Sequence, residues 1–142
     1  MEKTKGRPPK SLRTFTKTVQ EEFNAMVTAS QRCSRCFKLY ERMECSHVLS
    51  IGAYPALRFD IFNVLPMCSR HHIWWWHDEP TESGEWFRNK YPQRWEYLER
   101  AKLVTRRFRL EDLQQIREWI KNREIDKLHF PVKELPIDNQ TL

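Results

Sequence analysis

The sequence has no apolar run approaching the roughly 20 residues that a membrane-spanning helix requires. With 31% of its 142 residues charged, it does not read as a membrane protein. No apolar stretch follows the polar start from Met1 to Lys10, so a secretory signal is not expected and a cytoplasmic setting is. No internal repeat divides the chain. Acidic residues are scarce at the beginning, where Glu2 alone opposes Lys3, Lys5, Arg7, Lys10, Arg13 and Lys17 over the first 18 positions, giving 6 − 1 = +5 of a net charge of +6. The body is therefore nearly neutral. A basic arm on a near-neutral domain suits a nucleic-acid binder that gains affinity by releasing counterions and not by reading sequence. The alternative is a solvated tail that aids solubility.

Reduced thiols are expected in the cytoplasm, where four cysteines at metal-ligand spacing favour a metal over disulfides. Two pairs carry that spacing, Cys33-x2-Cys36 and Cys68-x2-His71. Together they form a closed Cys3His set suited to tetrahedral zinc, with no open position for a substrate. The role expected of the zinc is structural, since it pins together the two ends of a segment with short strands.

Four regions follow from the patterning. Residues 1–15 are expected to be a basic disordered arm, because Pro8-Pro9 denies helix and ladder hydrogen bonds. Lys5-Gly6-Arg7-Pro8 within it resembles the core of a minor-groove AT-hook, without that motif's second arginine. Residues 16–105 are expected to form the main domain. A helix from Thr16 to about Ser30 buries Val19, Phe23, Met26 and Val27 and turns Glu21 and Glu22 to water. A short strand falls within Leu39 to Ser50, and a second apolar stretch runs from Asn63 to Met67. A helix opens at Cys68 and continues through Trp76, and further helices span Glu85 to Tyr91 and Gln93 to about Val104. Residues 106–129 contain an amphipathic helix, Leu110 to Leu128, with Leu113, Ile116, Trp119 or Ile120, and Ile125 on one stripe. That stripe permits either docking on the domain or a homodimer. Residues 130–142 read as an irregular, proline-punctuated tail.

Between the two ligand pairs lie the groups with other chemistry. His47, in a strand-like stretch, can accept a proton near neutral pH. Asn63 can tie down the loop after His47 so that the imidazole keeps one orientation. His72 differs from His71 by about 100° around a helix axis, so it can hold a divalent cation while His71 faces the zinc. His77 stands about 140° away from His72 on an α-helix, and reaches that cation only if the helix ends or bulges. Arg58 is a candidate phosphate clamp, the alternative being a salt bridge to Asp60. Arg35, Lys38 and Arg70, near the zinc ends, can extend contact with a phosphate backbone, as can Lys5, Arg7 and Lys10 in the arm. Cys45 shares a strand face with His47 and reads as a small buried thiol. Of Trp74, Trp75 and Trp76, at least one belongs in the core, and an exposed one can stack on an unpaired base.

His47, Asn63 and His72, framed by the two ligand pairs, resemble the HNH (ββα-metal) endonucleases over roughly residues 32–80. More narrowly, Cys45-Ser46-His47, the stretch Gly52-Ala53-Tyr54-Pro55-Ala56-Leu57-Arg58-Phe59 with Asn63, and His72-Ile73-Trp74-Trp75-Trp76-His77 with Pro80 resemble the phage NinG/Rap recombination nucleases and related phage HNH proteins. The resemblance implies an α+β fold: a zinc-stapled ββα-metal (HNH/treble-clef-like) core with a preceding helix and C-terminal helices. It implies a Mg2+- or Mn2+-dependent endonuclease that hydrolyses DNA, including branched recombination intermediates, leaves 5′ phosphates and works in the host cytoplasm if phage-encoded. His47, Asn63 and His72 would be its catalytic residues, with His72 and His77 at the catalytic ion. Two positions depart from the common pattern. Ser46 stands where many HNH enzymes carry a metal ligand, and Trp76 stands four residues after His72, where many carry another. A non-catalytic zinc-stabilised DNA- or partner-binding protein on the same scaffold is therefore the main alternative, and an RNA-directed protein is a third.

Overall fold

The protein, as a computed structural model, is described over residues 11–129. The arm residues Lys5, Arg7 and Lys10 and the tail 130–142 lie outside the described residues. Helix α1 spans Leu12–Val27 and begins inside the stretch expected to be arm, because Ser11 caps it by accepting from the Thr14 amide at 3.4 Å. Val19, Phe23 and Val27 recur every fourth residue and are fully buried, whereas Met26 packs only partly against them. Glu22, expected in water, is gripped by Arg117, whose Nε and Nη2 reach its carboxylate at 3.0 and 2.9 Å. The reason is tertiary: a later helix docks along that flank of α1.

After α1 the chain turns through a knuckle closed by a bridge between Arg32 and Leu39. Strand β1 (Glu44–His47) then pairs antiparallel with β2 (Val64–Met67), Glu44 opposite Met67 and His47 opposite Val64. β1 is much shorter than its apolar stretch because β2 offers it only four partners before Cys68 turns away. Pro66 is tolerated in β2 because a two-stranded sheet leaves each strand one outer edge, where a missing N–H breaks no ladder. Its carbonyl accepts from the Ser34 amide at 2.9 Å, which ties the knuckle to the sheet.

The segment between the strands contains two short 3-10 turns, Pro55–Leu57 and Ile61–Asn63. Beyond β2 comes a π-helix, Arg70–His77, then α2 (Pro80–Lys90), α3 (Pro92–Ala101) and α4 (Leu110–Lys121). Both α2 and α3 open on a proline, whose fixed φ suits the first turn, so they start earlier than their apolar periodicity suggests. Leu113, Ile116 and Ile120 of α4 are buried in the same core as Val19, Phe23 and Phe59. At about 1.5–3 kcal/mol for each buried aliphatic side chain, docking within the chain accounts for the α4 stripe. Ile125, placed on that stripe by periodicity, instead begins a separate 3-10 turn and is only partly buried.

The architecture is thus mixed α+β, with a two-stranded sheet enclosed by helices. Among the described residues no helix is long and apolar enough to cross a membrane.

Candidate metal centre and histidine cluster

Cys33, Cys36, Cys68 and His71 converge, and their ligand atoms all lie within 4.8 Å of one another. His71 presents Nδ1, which is 3.2 Å from Cys68 Sγ and 3.7 Å from Cys33 Sγ. Tetrahedral bonds of about 2.3 Å give an edge of roughly 3.8 Å, so these separations suit one shared ion after small adjustments. The knuckle is built for the purpose. Phe37 adopts a left-handed φ of 61°, the Phe37 amide donates to the Cys33 carbonyl at 2.9 Å, and the Arg35 amide points at Cys33 Sγ from 3.4 Å.

The electrostatics of the four are mixed: burial pushes the Cys33 thiol up, against the pull of the Cys36, Cys68 and Arg35 amides. Cys36 is held down to about 7: burial works upward, but the Tyr40 hydroxyl, the Lys38 amide and the Cys33 and Cys68 thiols outweigh it. Burial, followed by Arg35, Arg70 and Lys38, pushes the His71 imidazole below its ordinary range, which favours the neutral form that metal ligation needs. The four side chains could hold a metal ion such as zinc.

On the hairpin, His47 Nε2 lies 3.2 Å from the Arg58 carbonyl. A carbonyl can only accept, so the neutral ring carries its proton on Nε2 and keeps its lone pair on Nδ1. Burial first, and then the charges of Arg58 and His72, lower the His47 pKa against the opposing pull of that carbonyl. The downward shift favours the neutral ring, with Nδ1 left to take a proton.

Asn63 is wholly buried and forms a bracket. Its Oδ1 accepts from the Leu49 amide at 2.8 Å, and its Nδ2 donates to the carbonyls of Leu49 at 3.0 Å and Leu57 at 3.2 Å. Its backbone carbonyl also takes the Val48 amide at 2.8 Å. The loop leaving His47 is thus tied down at two consecutive residues.

His72 and His77 meet on the π-helix, with Nε2 atoms 3.0 Å apart. The π-helix makes this contact, since a turn one residue wider brings position i+5 round to where i+4 stands on an α-helix. His72 Nδ1 lies 3.3 Å from Glu44 Oε2, within ion-pair reach though off the line of a hydrogen bond. Trp76, in turn, donates its Nε1 hydrogen to the His47 carbonyl at 3.3 Å. Both ends of β1 are therefore fastened to the π-helix, which brings His47 within electrostatic range of His72.

The two imidazoles are at hydrogen-bonding distance, a spacing that adjacent donors on one ion also take. Octahedral bonds of about 2.1 Å place adjacent donors about 3.0 Å apart, which is the separation seen between the two Nε2 atoms. Ser46, on the same strand face as Glu44, has a fully buried Oγ with no hydrogen-bond partner among the described residues.

Other candidates fall nearby or elsewhere. Arg58 makes no salt bridge to Asp60; its Nε donates to Gln20 Oε1 at 3.0 Å, and its guanidinium lies over the Phe59 ring. Asp60 is instead buried, accepting from the Phe62 amide at 2.9 Å and the Tyr97 hydroxyl at 2.6 Å. Arg35 stacks over Trp75 at 4.9 Å, and Arg70, next in sequence to His71, is exposed. Cys45 stands outside the ligand cluster, its thiol pushed up to about 12 by burial. Trp75 and Trp76 are nearly buried, whereas Trp74 is 69% exposed.

Three supporting residues escaped the sequence reading. Gln20 donates from Nε2 to the Arg58 carbonyl at 3.3 Å, so it holds the same oxygen that orients His47. A glutamine inside an apolar helical stripe was the available signal. Arg94, buried in α3, donates from Nη2 to the carbonyls of Phe62 at 2.9 Å and Val64 at 2.8 Å on either side of Asn63. Glu44 supports His72, and nothing in the sequence set either Arg94 or Glu44 apart from an ordinary surface charge.

No family model matches the chain, and no curated protein or solved structure is significantly similar to it.

Proposed function

We propose that the protein is a divalent-metal-dependent DNA endonuclease of the HNH type, built on a structural zinc. The observation that carries this reading is the pairing, across one short strand, of a tautomer-fixed neutral His47 with the converging His72 and His77 nitrogens. His47 Nδ1 takes a proton from water, whose oxygen forms the new bond to phosphorus while the bond to the 3′ oxygen breaks. The leaving oxygen is protonated from solvent, so the product carries a 5′ phosphate. His72 and His77 would hold a divalent cation, which when bound would supply positive charge near the scissile phosphate. Two imidazoles favour a transition-metal ion such as manganese over magnesium, because magnesium prefers oxygen ligands. Asn63 and the Arg58 carbonyl keep His47 in one orientation, and the Arg58 side chain offers a guanidinium to phosphate.

The decisive experiment offers linear duplex, nicked duplex and four-way junction DNA to the zinc-loaded protein with magnesium, manganese or calcium. Metal-dependent cutting that disappears in His47→Ala, with zinc content and DNA binding retained, supports the reading. Cutting that persists in His47→Ala refutes it. A second reading, a zinc-stabilised binding protein without catalysis, is favoured by Ser46, which offers no strong metal ligand beside His47. It predicts DNA binding without cutting under every metal.

A further inference from the structure

A groove of about 740 Å³ runs between α1 and the Arg58 loop, with Arg13, Thr14, Lys17, Gln20, Glu21 and Arg58 among the residues around it. Arg13, Lys17 and Gln20 stand at i, i+4 and i+7, so they form one stripe along the helix. Three cations against Glu21 leave the groove at 3 − 1 = +2. Among the described residues none of the three forms a salt bridge, and the Nη atoms of Arg58 have no hydrogen bond. Arg58 is also half-buried, and a partly desolvated guanidinium without a carboxylate is an unfavourable arrangement unless an anion completes it.

We propose that this groove is a second DNA contact, a seat for the phosphodiester backbone beside the cutting centre. Its chemistry is that of a polyanion site. The space is larger than one phosphate fills, and the cations lie in a line instead of converging on a point. The sequence continues the same sign upstream through Lys10, Arg7, Lys5 and Lys3. The groove is also mechanically joined to the base: the Arg58 carbonyl accepts from Gln20 at 3.3 Å and from His47 at 3.2 Å. A strand seated against α1 therefore passes alongside His47, and its binding holds the wall that orients the imidazole. This inference rests on the nuclease reading only for the choice of DNA.

The test compares Arg13→Gln/Lys17→Gln with Lys121→Gln/Arg123→Gln, a double variant that removes the same charge from residues that do not line the groove. Anisotropy of labelled duplex is followed from 50 to about 200 mM salt, using zinc-loaded protein in calcium. Each lost phosphate contact lowers the slope of log K against log salt by about 0.9, so the groove variant should lose about 2 in slope and roughly 10- to 100-fold in affinity. The control should keep its slope within about 0.5. Equal weakening by the two double variants, or none by either, overturns the proposal. Zinc content and circular dichroism of both variants establish that each is folded. Cleavage in manganese separates the two readings. Wild-type cutting whose KM is unchanged in the groove variant refutes the groove alone, whereas groove-dependent binding without cutting refutes the nuclease and leaves the groove. Tighter binding of RNA with the same groove dependence overturns the choice of DNA.

Discussion

Replacing Asn63 by alanine removes three hydrogen bonds at once: the buried one to the Leu57 carbonyl and two part-buried ones, from the Leu49 amide and to the Leu49 carbonyl. The Leu57 carbonyl is left buried and the Leu49 groups half-buried, and an orphaned buried donor or acceptor costs about 1–3 kcal/mol. Taking values near the low end, the loss is on the order of 3–5 kcal/mol, a large part of the roughly 5–15 kcal/mol that holds a domain together. In a chain of this size that corresponds to a fall of about 10–20 °C in Tm. Asn63→Asp is the sharper perturbation, because it keeps the shape and the acceptor for Leu49 but turns an oxygen toward two carbonyls. A carboxylate so placed has its folded-state pKa raised above its unfolded value. Its deficit should then be complete at pH 7 and shrink as pH falls through that raised pKa. The assay is urea denaturation of the zinc-saturated protein at pH 7 and pH 5, reading the midpoint and m together. An Asn63→Ala loss below about 1 kcal/mol would show that the loop after His47 is held by something other than this amide. A deficit in Asn63→Asp that grows on acidification would refute the electrostatic part.

Elemental analysis should find one zinc per chain, and Cys36→Ser should lose it together with cooperative unfolding, since binding of a structural zinc is itself folding free energy. Asp60 supplies a pH signature: burial raises it to about 6, against the hydrogen bonds of Tyr97 and the Phe62 amide. Between its ordinary value and about 6 the folded state holds the extra proton, so wild type should gain roughly 2 kcal/mol relative to Asp60→Asn as pH drops from 7 to 4. No relative gain in paired melts would contradict that burial. Glu22→Gln should cost no more than about 1 kcal/mol despite the two-pronged contact with Arg117, because the pair is partly solvated. If His47 is the base, cleavage should rise with pH through a pKa below its ordinary value and then level off, and a rise centred above pH 7 would point to another group.

The metal knuckles were legible because ligand spacing is a local constraint: two thiolates on one tight turn can reach one ion, and Cys68 and His71 do so from the start of the next helix. Helix α1 was legible for a similar reason, since Val19, Phe23 and Val27 repeat at a period that only one conformation buries. Limits of extent were set by partners and were not. β1 ends at four residues because β2 does, and Glu22 leaves water because Arg117 arrives from 95 positions away. The Arg94 and Asp60 networks belong to the same class. Each is a charged residue whose burial depends wholly on which carbonyls or hydroxyl the fold brings to it.

The π-helix is where local periodicity misled most and where it matters most. Counting at 3.6 residues per turn puts His77 about 140° from His72 and gives its place to Trp76. In the wider helix Trp76 turns inward and donates to the His47 carbonyl, and the two imidazoles close to 3.0 Å. That contact has two explanations, a hydrogen bond sharing one proton or a pair of lone pairs awaiting one cation, and they differ in what His77 contributes. Calorimetry of manganese binding to the zinc-loaded chain should show one further site in the wild type, with affinity reduced about 10-fold or more in His77→Ala and recovered in part by His77→Asp, which restores a ligand atom. If manganese binds equally to all three, the cation lies elsewhere and the wide turn serves only to seat Trp76. If the wild type binds none beyond zinc, the pair is a hydrogen bond and the scaffold is non-catalytic.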